Sequence, residues 1–154
     1  KAQFGFERKN LVVKTERAMM TVRLIDGDYP DYNKVIPQTH GRKAFIEKND
    51  LVQSLKRMGI LTSDRNRGIS LFLRDGEIGL KVNNPDLGSA EDSMPIEFDG
   101  EEVQIIINVQ YLLDALAVIS SDRISLEYHK EGAPVIIKPH PEQDYFNIVM
   151  PMRK

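Results

Sequence analysis

The sequence predicts an α+β domain built from two copies of one βαβββ unit, preceded by three short strands and a stiff linker. Three observations predict it. Apolar positions recur at an offset of 61 residues, with Ile46, Leu51, Val52 and Leu55 matched by Ile107, Leu112, Leu113 and Leu116 (107 − 46). Ile69-Ser70-Leu71 is echoed by Ile124-Ser125-Leu126. Between the repeat and the N-terminal strands lies a stretch crowded with Pro, Gly and Asp. A repeat with helical spacing in one part and alternation in the next implies helices on one face of paired sheets, related by a pseudo-twofold axis.

Composition sets the limits. The chain has 154 residues, 41% of them hydrophobic, which supports a packed core and excludes a disordered chain. Net charge is −2, so any basic face is local. Cysteine is absent, which removes disulfides, thiolate metal sites and cysteine nucleophiles and makes the cytosol the default compartment. No apolar run approaches the roughly 18 residues of a membrane span, and no signal sequence is visible. The chain opens at Lys1 directly in a strand-like pattern, so it is expected to be a piece of a longer protein.

The elements follow in order. Residues 2–6, 10–15 and 19–25 read as antiparallel strands joined by polar turns, a sheet too small to stand without a cover. The linker, 26–42, holds Asp26-Gly27-Asp28, Tyr29-Pro30-Asp31-Tyr32, Ile36-Pro37 and Gly41, punctuation that argues against helix or central strand. Asp26, Asp28 and Asp31 do not follow calcium-loop spacing and read as turn formers.

The domain proper spans 43–154. Residues 44–47 form a strand, and Asn49 or Asp50 caps a helix running to about residue 61, with Leu51, Val52, Leu55 and Met58 on its apolar side. Strands follow at 69–74, 78–83 and 90–98, with turns at Asp75-Gly76 and Asn83-Asn84-Pro85-Asp86. In the second copy, 103–107 is a strand, Asn108 a cap, and 109–119 a helix with Leu112, Leu113, Leu116 and Ile119 inward. Strands then come at 124–129, 135–138 and 145–150. Pro151 ends the last of these, and Met150 and Met152 flank it. Methionines there either fill the core of a terminal strand or offer an adaptable surface to apolar partners.

Catalytic chemistry finds little to stand on. His40, His129 and His140 are scattered, and no glycine-rich phosphate loop precedes a helix. A metal-assisted hydrolase would have to rest on Asp26, Asp28 and Asp31 or on Glu91 and Asp92, with no nucleophile supplied. No cofactor is implied, and the chain reads as non-enzymatic.

Several motifs together carry a resemblance: Arg23-Leu24-Ile25-Asp26-Gly27-Asp28-Tyr29-Pro30-Asp31-Tyr32, the doubled βαβββ unit, Asn83-Asn84-Pro85, and the ending Val149-Met150-Pro151-Met152-Arg153. The chain resembles the bacterial sliding clamp, the beta subunit of DNA polymerase III, along essentially its whole length. The resemblance implies a DNA-clamp fold. Residues 1–25 match the terminal strands of the second clamp domain, 26–42 the interdomain linker and 43–154 the third. It also implies a DNA polymerase processivity factor: a head-to-tail homodimeric ring around double-stranded DNA. The ring tethers the polymerase alpha subunit, the clamp loader and other proteins bearing a clamp-binding motif, while this chain alone is expected to be monomeric.

The resemblance further implies a peptide-binding groove at Pro30, Lys34, Val35, Asn108, Tyr111, Pro134, Ile148, Val149, Met150, Pro151, Met152 and Arg153. Lys34 stands where the family often has Arg, which keeps the charge but loses bidentate geometry. Lys154 replaces a common terminal Leu. The ring interface would use Ile60 and Leu61, with acidic partners Glu91 and Asp92; plain core is the other reading of the apolar pair. DNA would face Lys48, Lys56, Arg57, Arg65 and Arg67, which otherwise form a solvated helix face. The second helix carries no Lys or Arg.

Overall fold

A computed structural model describes residues 1–37, 41–62, 67–130 and 132–152. They divide into two compact units, Lys1–Asn33 and Lys34–Lys154.

The smaller unit is an antiparallel meander of β1 (Gln3–Glu7), β2 (Asn10–Lys14) and β3 (Met19–Arg23). Its register aligns Phe4, Val13 and Met20 in one row and Phe6, Leu11 and Val22 in the next. Because side chains alternate along a strand, those six apolar residues share one face. That face is open to solvent, with Phe6 76% exposed. The Thr15 hydroxyl accepts from the Ala18 N–H at 3.0 Å and closes the β2–β3 turn.

The linker carboxylates form turns and an ion pair. Asp31 accepts from both the backbone and the side-chain amide of Asn33 at 3.1 Å, starting a single 3₁₀ turn over Tyr32–Lys34. Asp26 pairs with Lys9.

The larger unit runs β4 (Arg42–Glu47), α1 (Lys48–Gly59), β5 (Gly68–Arg74), β6 (Glu77–Asn84), β7 (Gly88–Pro95), β8 (Val103–Asn108), α2 (Val109–Ala117), β9 (Arg123–Tyr128), β10 (Val135–His140) and β11 (Asn147–Val149). Two four-stranded antiparallel sheets result, ordered β11-β10-β9-β4 and β7-β6-β5-β8. Each repeat therefore lends its first strand to the other repeat's sheet. Ile46 faces Ile124 across β4 and β9, and Ile107 faces Ile69 across β8 and β5.

The offset of 61 residues shortens to 55 after the helix (124 − 69), because α2 has 9 residues against 12 in α1 and the loop after it is shorter. The hydrogen bonds repeat with the sequence. The Lys48 N–H donates to the Asp122 carbonyl at 2.8 Å, and its counterpart Val109 N–H donates to the Arg67 carbonyl at 2.9 Å.

Alternation in the strands and 3.6-residue spacing in the helices meet in one core. Ile69, Leu71, Leu73, Ile78 and Leu80 from one sheet and Ile46, Ile124 and Leu126 from the other enclose Leu51 and Leu55 of α1 and Leu112 and Leu116 of α2. Each fully buried Leu or Ile stabilises this arrangement by roughly 1.5–3 kcal/mol over leaving it in water. The helices run antiparallel, since Lys48 at the start of α1 donates from Nζ to the Ile119 carbonyl beyond the end of α2 at 2.6 Å.

Four expectations on element ends need correction. Asn49 and Asp50 lie inside α1; the capping position belongs to Glu47, whose backbone is extended (φ −68°, ψ 113°) and whose side chain makes no capping bond. The strand expected over 90–98 is β7, Gly88–Pro95. Its partner β6 begins at Glu77, opposite Pro95; beyond it Ile96 and Phe98 bond to Gly76 in the turn at 3.0 and 3.4 Å, while Glu97 and Phe45 of β4 exchange two backbone bonds at 3.1 and 2.9 Å. Helix α2 stops at Ala117, before the expected 119. The terminal strand is only Asn147–Val149, pairing with Val135, Ile136 and Ile137. That short reach leaves one side of β10 open beyond Ile137, where Pro139 is accommodated.

At the junction between linker and domain, Gly41 is forced by space. A Cβ there would stand 2.4 Å from the Tyr128 carbonyl oxygen. The Gly41 N–H donates at 2.7 Å to Glu127, a carboxylate only 2% exposed.

Candidate peptide-binding site

Asn108 places the first wall of the site. Its carboxamide oxygen accepts from the N–H groups of Gln110 at 2.9 Å and Tyr111 at 3.4 Å, capping α2 as its residue type and extended backbone allow. The cap starts the helix so that Leu112 and Leu116 turn into the core while Tyr111, 61% exposed, stays outside with Asp114 and Val118. The second wall is β11 with its flanks. Asn147 ties the walls together, donating from Nδ2 to the Ala115 carbonyl at 3.1 Å and accepting from the Tyr145 hydroxyl at 3.1 Å.

Between the walls lies a cleft of about 510 Å³, mostly apolar, lined by Tyr111, Ala115, Val118, Tyr145, Ile148 and Met150 among others. That volume falls in the range of roughly 300–1,000 Å³ typical of small-ligand sites. Met150 is exposed, Pro151 half-buried, and Met152 partly open. The Met152 N–H donates to the Ile106 carbonyl at 2.7 Å, so the tail lies along the outer edge of β8. Met152 also borders a second depression of about 580 Å³ on the outer face of β5, β6 and β8, with Phe72, Lys81, Gln104 and Ile106.

Of the residues expected in a groove, the structure gathers Tyr111, Ile148, Val149 and Met150 in one cleft, with Pro151 and Met152 continuing from it. Asn108 acts as the cap, and Pro134 sits half-buried ahead of β10 without lining the cleft. Lys34 and Val35 are exposed at the start of the larger unit, and Pro30 is exposed in the smaller one. Arg153 lies outside the described residues. Sequence reasoning missed Asp114, Ala115, Val118, Tyr145 and Asn147. Val118 falls inside the expected helix 109–119 and Tyr145 inside the expected strand 145–150, and both lie beyond the ends of α2 and β11 at the surface.

The other expected sites separate. Ile60 is 77% exposed at the end of α1, which removes the plain-core reading for it, whereas Leu61 packs against the core. Glu91 pairs with Lys81, and that contact holds its carboxyl below the usual range. Asp92 turns onto α1, where it accepts from the Arg57 guanidinium at 2.5 Å and the buried Ser54 hydroxyl at 2.8 Å. Those bonds, Arg57 first, hold its carboxyl below the ordinary carboxylate range. Among the expected DNA-facing cations, Lys48 bonds to Ile119 and Arg57 to Asp92, while Lys56 and Arg67 are exposed on either side of the α1–β5 connection. Arg65 and His40 lie outside the described residues.

Two helices against two strand-exchanged sheets, with an apolar cleft beside the last strand, define a clamp-type α+β domain. Its relatives are consistent. The profile described as DNA polymerase III beta subunit, C-terminal domain, matches residues 33–153, and the chain belongs to that family. It is 31% identical over 133 residues to the beta sliding clamp of Pseudomonas putida and 33% identical over 136 residues to that of Synechocystis, covering 86% and 87% of this chain. A sliding clamp structure from Bartonella birtlesii, bound to griselimycin, superposes with a TM-score of 0.83 at 30% identity over 99% of the chain. The chain spans 36% and 35% of the length of those two relatives and 41% of that structure's chain.

Proposed function

We propose that this chain is the part of a bacterial sliding clamp that receives partner proteins through the cleft between α2 and β11 and the tail beside it. The observation that carries the reading is the convergence of exposed Tyr111 and Met150 on one apolar cleft whose walls are locked by Asn147, in a chain of this family. A short apolar peptide is held in such a place by side-chain burial with a few polar anchors. The domain boundaries follow the same reading. Residues 1–25 are strands of the preceding clamp domain, 26–42 the interdomain linker and 43–154 the C-terminal domain.

In the whole protein, the domain serves as a non-catalytic processivity module of a head-to-tail ring around duplex DNA. Exposed Ile60 supports a place at the ring contact, and exposed Lys56 and Arg67 support a path past phosphates. The alpha subunit, the clamp loader and other clamp-binding proteins are the partners of the cleft.

The test is a titration with a peptide ending in Leu and Phe, followed by amide chemical shifts, on the intact chain and on one lacking residues 151–154. Binding perturbs Tyr111, Ile148 and Met150 in the intact chain. Truncation weakens it about ten-fold or more, because losing one buried Met contact costs roughly 1.5–3 kcal/mol. Shifts that cluster elsewhere, or that survive truncation unchanged, overturn the reading.

A further inference from the structure

The peptide cleft is mostly apolar, with the Asn147 carboxamide and the Tyr145 hydroxyl bonded to each other in its wall. Among the described residues that line it, Asp114 alone carries a charge. Gln110, one helical turn earlier, donates from Nε2 to Asp114 Oδ1 at 2.8 Å and holds the carboxylate at the rim. Val118 and Tyr145 border the same space, so a charge arriving beside Asp114 meets apolar surface on the other sides, where its attraction is less screened than in open water. No lysine or arginine lies on α2 to answer Asp114 from its own helix. Asp144, exposed next to Tyr145, adds charge of the same sign at that end. We propose that the cleft takes an apolar peptide segment carrying a lysine or arginine beside its anchor residues, and that Asp114 selects for that cation. The proposal rests on the peptide-binding reading above and adds to it a rule of partner choice. The long stem of a lysine or arginine suits the geometry, since its methylenes lie along Val118 and the tyrosine rings while the head reaches the carboxylate.

The experiment uses labelled eight-residue peptides of Gly and Ser around a Leu-Phe pair. Lys, Ala or Glu stands immediately before the pair in one series and immediately after it in the other. Affinities for the intact chain are read by fluorescence anisotropy at low salt. In at least one series the Lys peptide binds about two- to five-fold more tightly than the Glu peptide, the size of an exposed ion pair. Asp114→Asn brings that ratio to one, Asp114→Glu retains it and Asp114→Lys inverts it, with circular dichroism melts confirming that each variant folds. If the Ala peptides bind while Lys and Glu peptides bind alike in both series, or the ratio persists in Asp114→Asn, Asp114 does not select and only the peptide-binding reading stands. If the Ala peptides do not bind the intact chain at all, both fall.

Discussion

At the scale of single residues, helix caps show what can be read from residue type and what needs backbone. Asn108 is legible because it is a capping residue type placed between an apolar strand and a helically spaced apolar stripe, and its carboxamide takes two first-turn N–H groups. Asn108→Ala removes the cap, and thermal or urea unfolding should show a loss of about 1 kcal/mol. Asn49 and Asp50 offer the same chemistry, yet the cap position falls on Glu47. Both copies bond the first helical N–H across the chain, Lys48 to the Asp122 carbonyl and Val109 to the Arg67 carbonyl, so the difference lies at the cap position itself: Glu47 stands where the second copy has Asn108, and its side chain makes no capping bond. Asp92 carries a second prediction. Its carboxyl is held below its ordinary pKa of about 3.9 by Arg57 and Ser54, so its ionised form stabilises the fold at neutral pH. That contribution is present above the unfolded value and is lost as pH falls through the lower folded one. Unfolding measured from pH 6 down to pH 2 should decline less steeply in Asp92→Asn than in the parent chain.

Among the elements, strand and helix identity was written in the sequence by the 61-residue echo of Ile46, Leu51 and Leu55, whereas their ends were set by contacts that no local pattern contains. The tail is the clearest case. Read locally, Tyr145 to Met150 is one strand rich in aromatic and β-branched residues. In the fold, only Asn147–Val149 finds a partner strand, so Tyr145 and Met150 become cleft walls. The position of Met152 follows the repeat. Its bond to Ile106 matches the bond from Glu97 to Phe45 one repeat earlier, at the same offsets of 61 and 55 residues (106 − 45 and 152 − 97). The tail is thus the second copy of a segment that covers the edge of a borrowed strand. In the titration with residues 151–154 removed, the melting curve of the shortened chain should stay close to that of the intact one. The backbone bond from Met152 is worth only about 0.5–1.5 kcal/mol net, and β11 remains paired.

For the molecule as a whole, charge and shape bear on DNA. A net charge of −2 gives no general attraction to a polyanion, and Lys48 and Arg57 are engaged within the domain. This chain should bind duplex DNA no more tightly than the roughly 10⁻⁴–10⁻⁶ M of non-specific binding at physiological salt, as read by anisotropy with a labelled duplex. Sequence-specific binding in the nanomolar range would contradict the clamp reading, in which linkage and not affinity keeps a ring on DNA. The exchange of first strands reaches further. One βαβββ unit taken alone has three strands of one sheet and an orphan strand that fits only another copy's sheet. Such a half cannot close on itself, but two identical halves can, each completing the other. The domain has the architecture of a homodimer whose two subunits have been joined end to end, and a gene that doubled such a unit would have needed no new contact to make it fold as one chain.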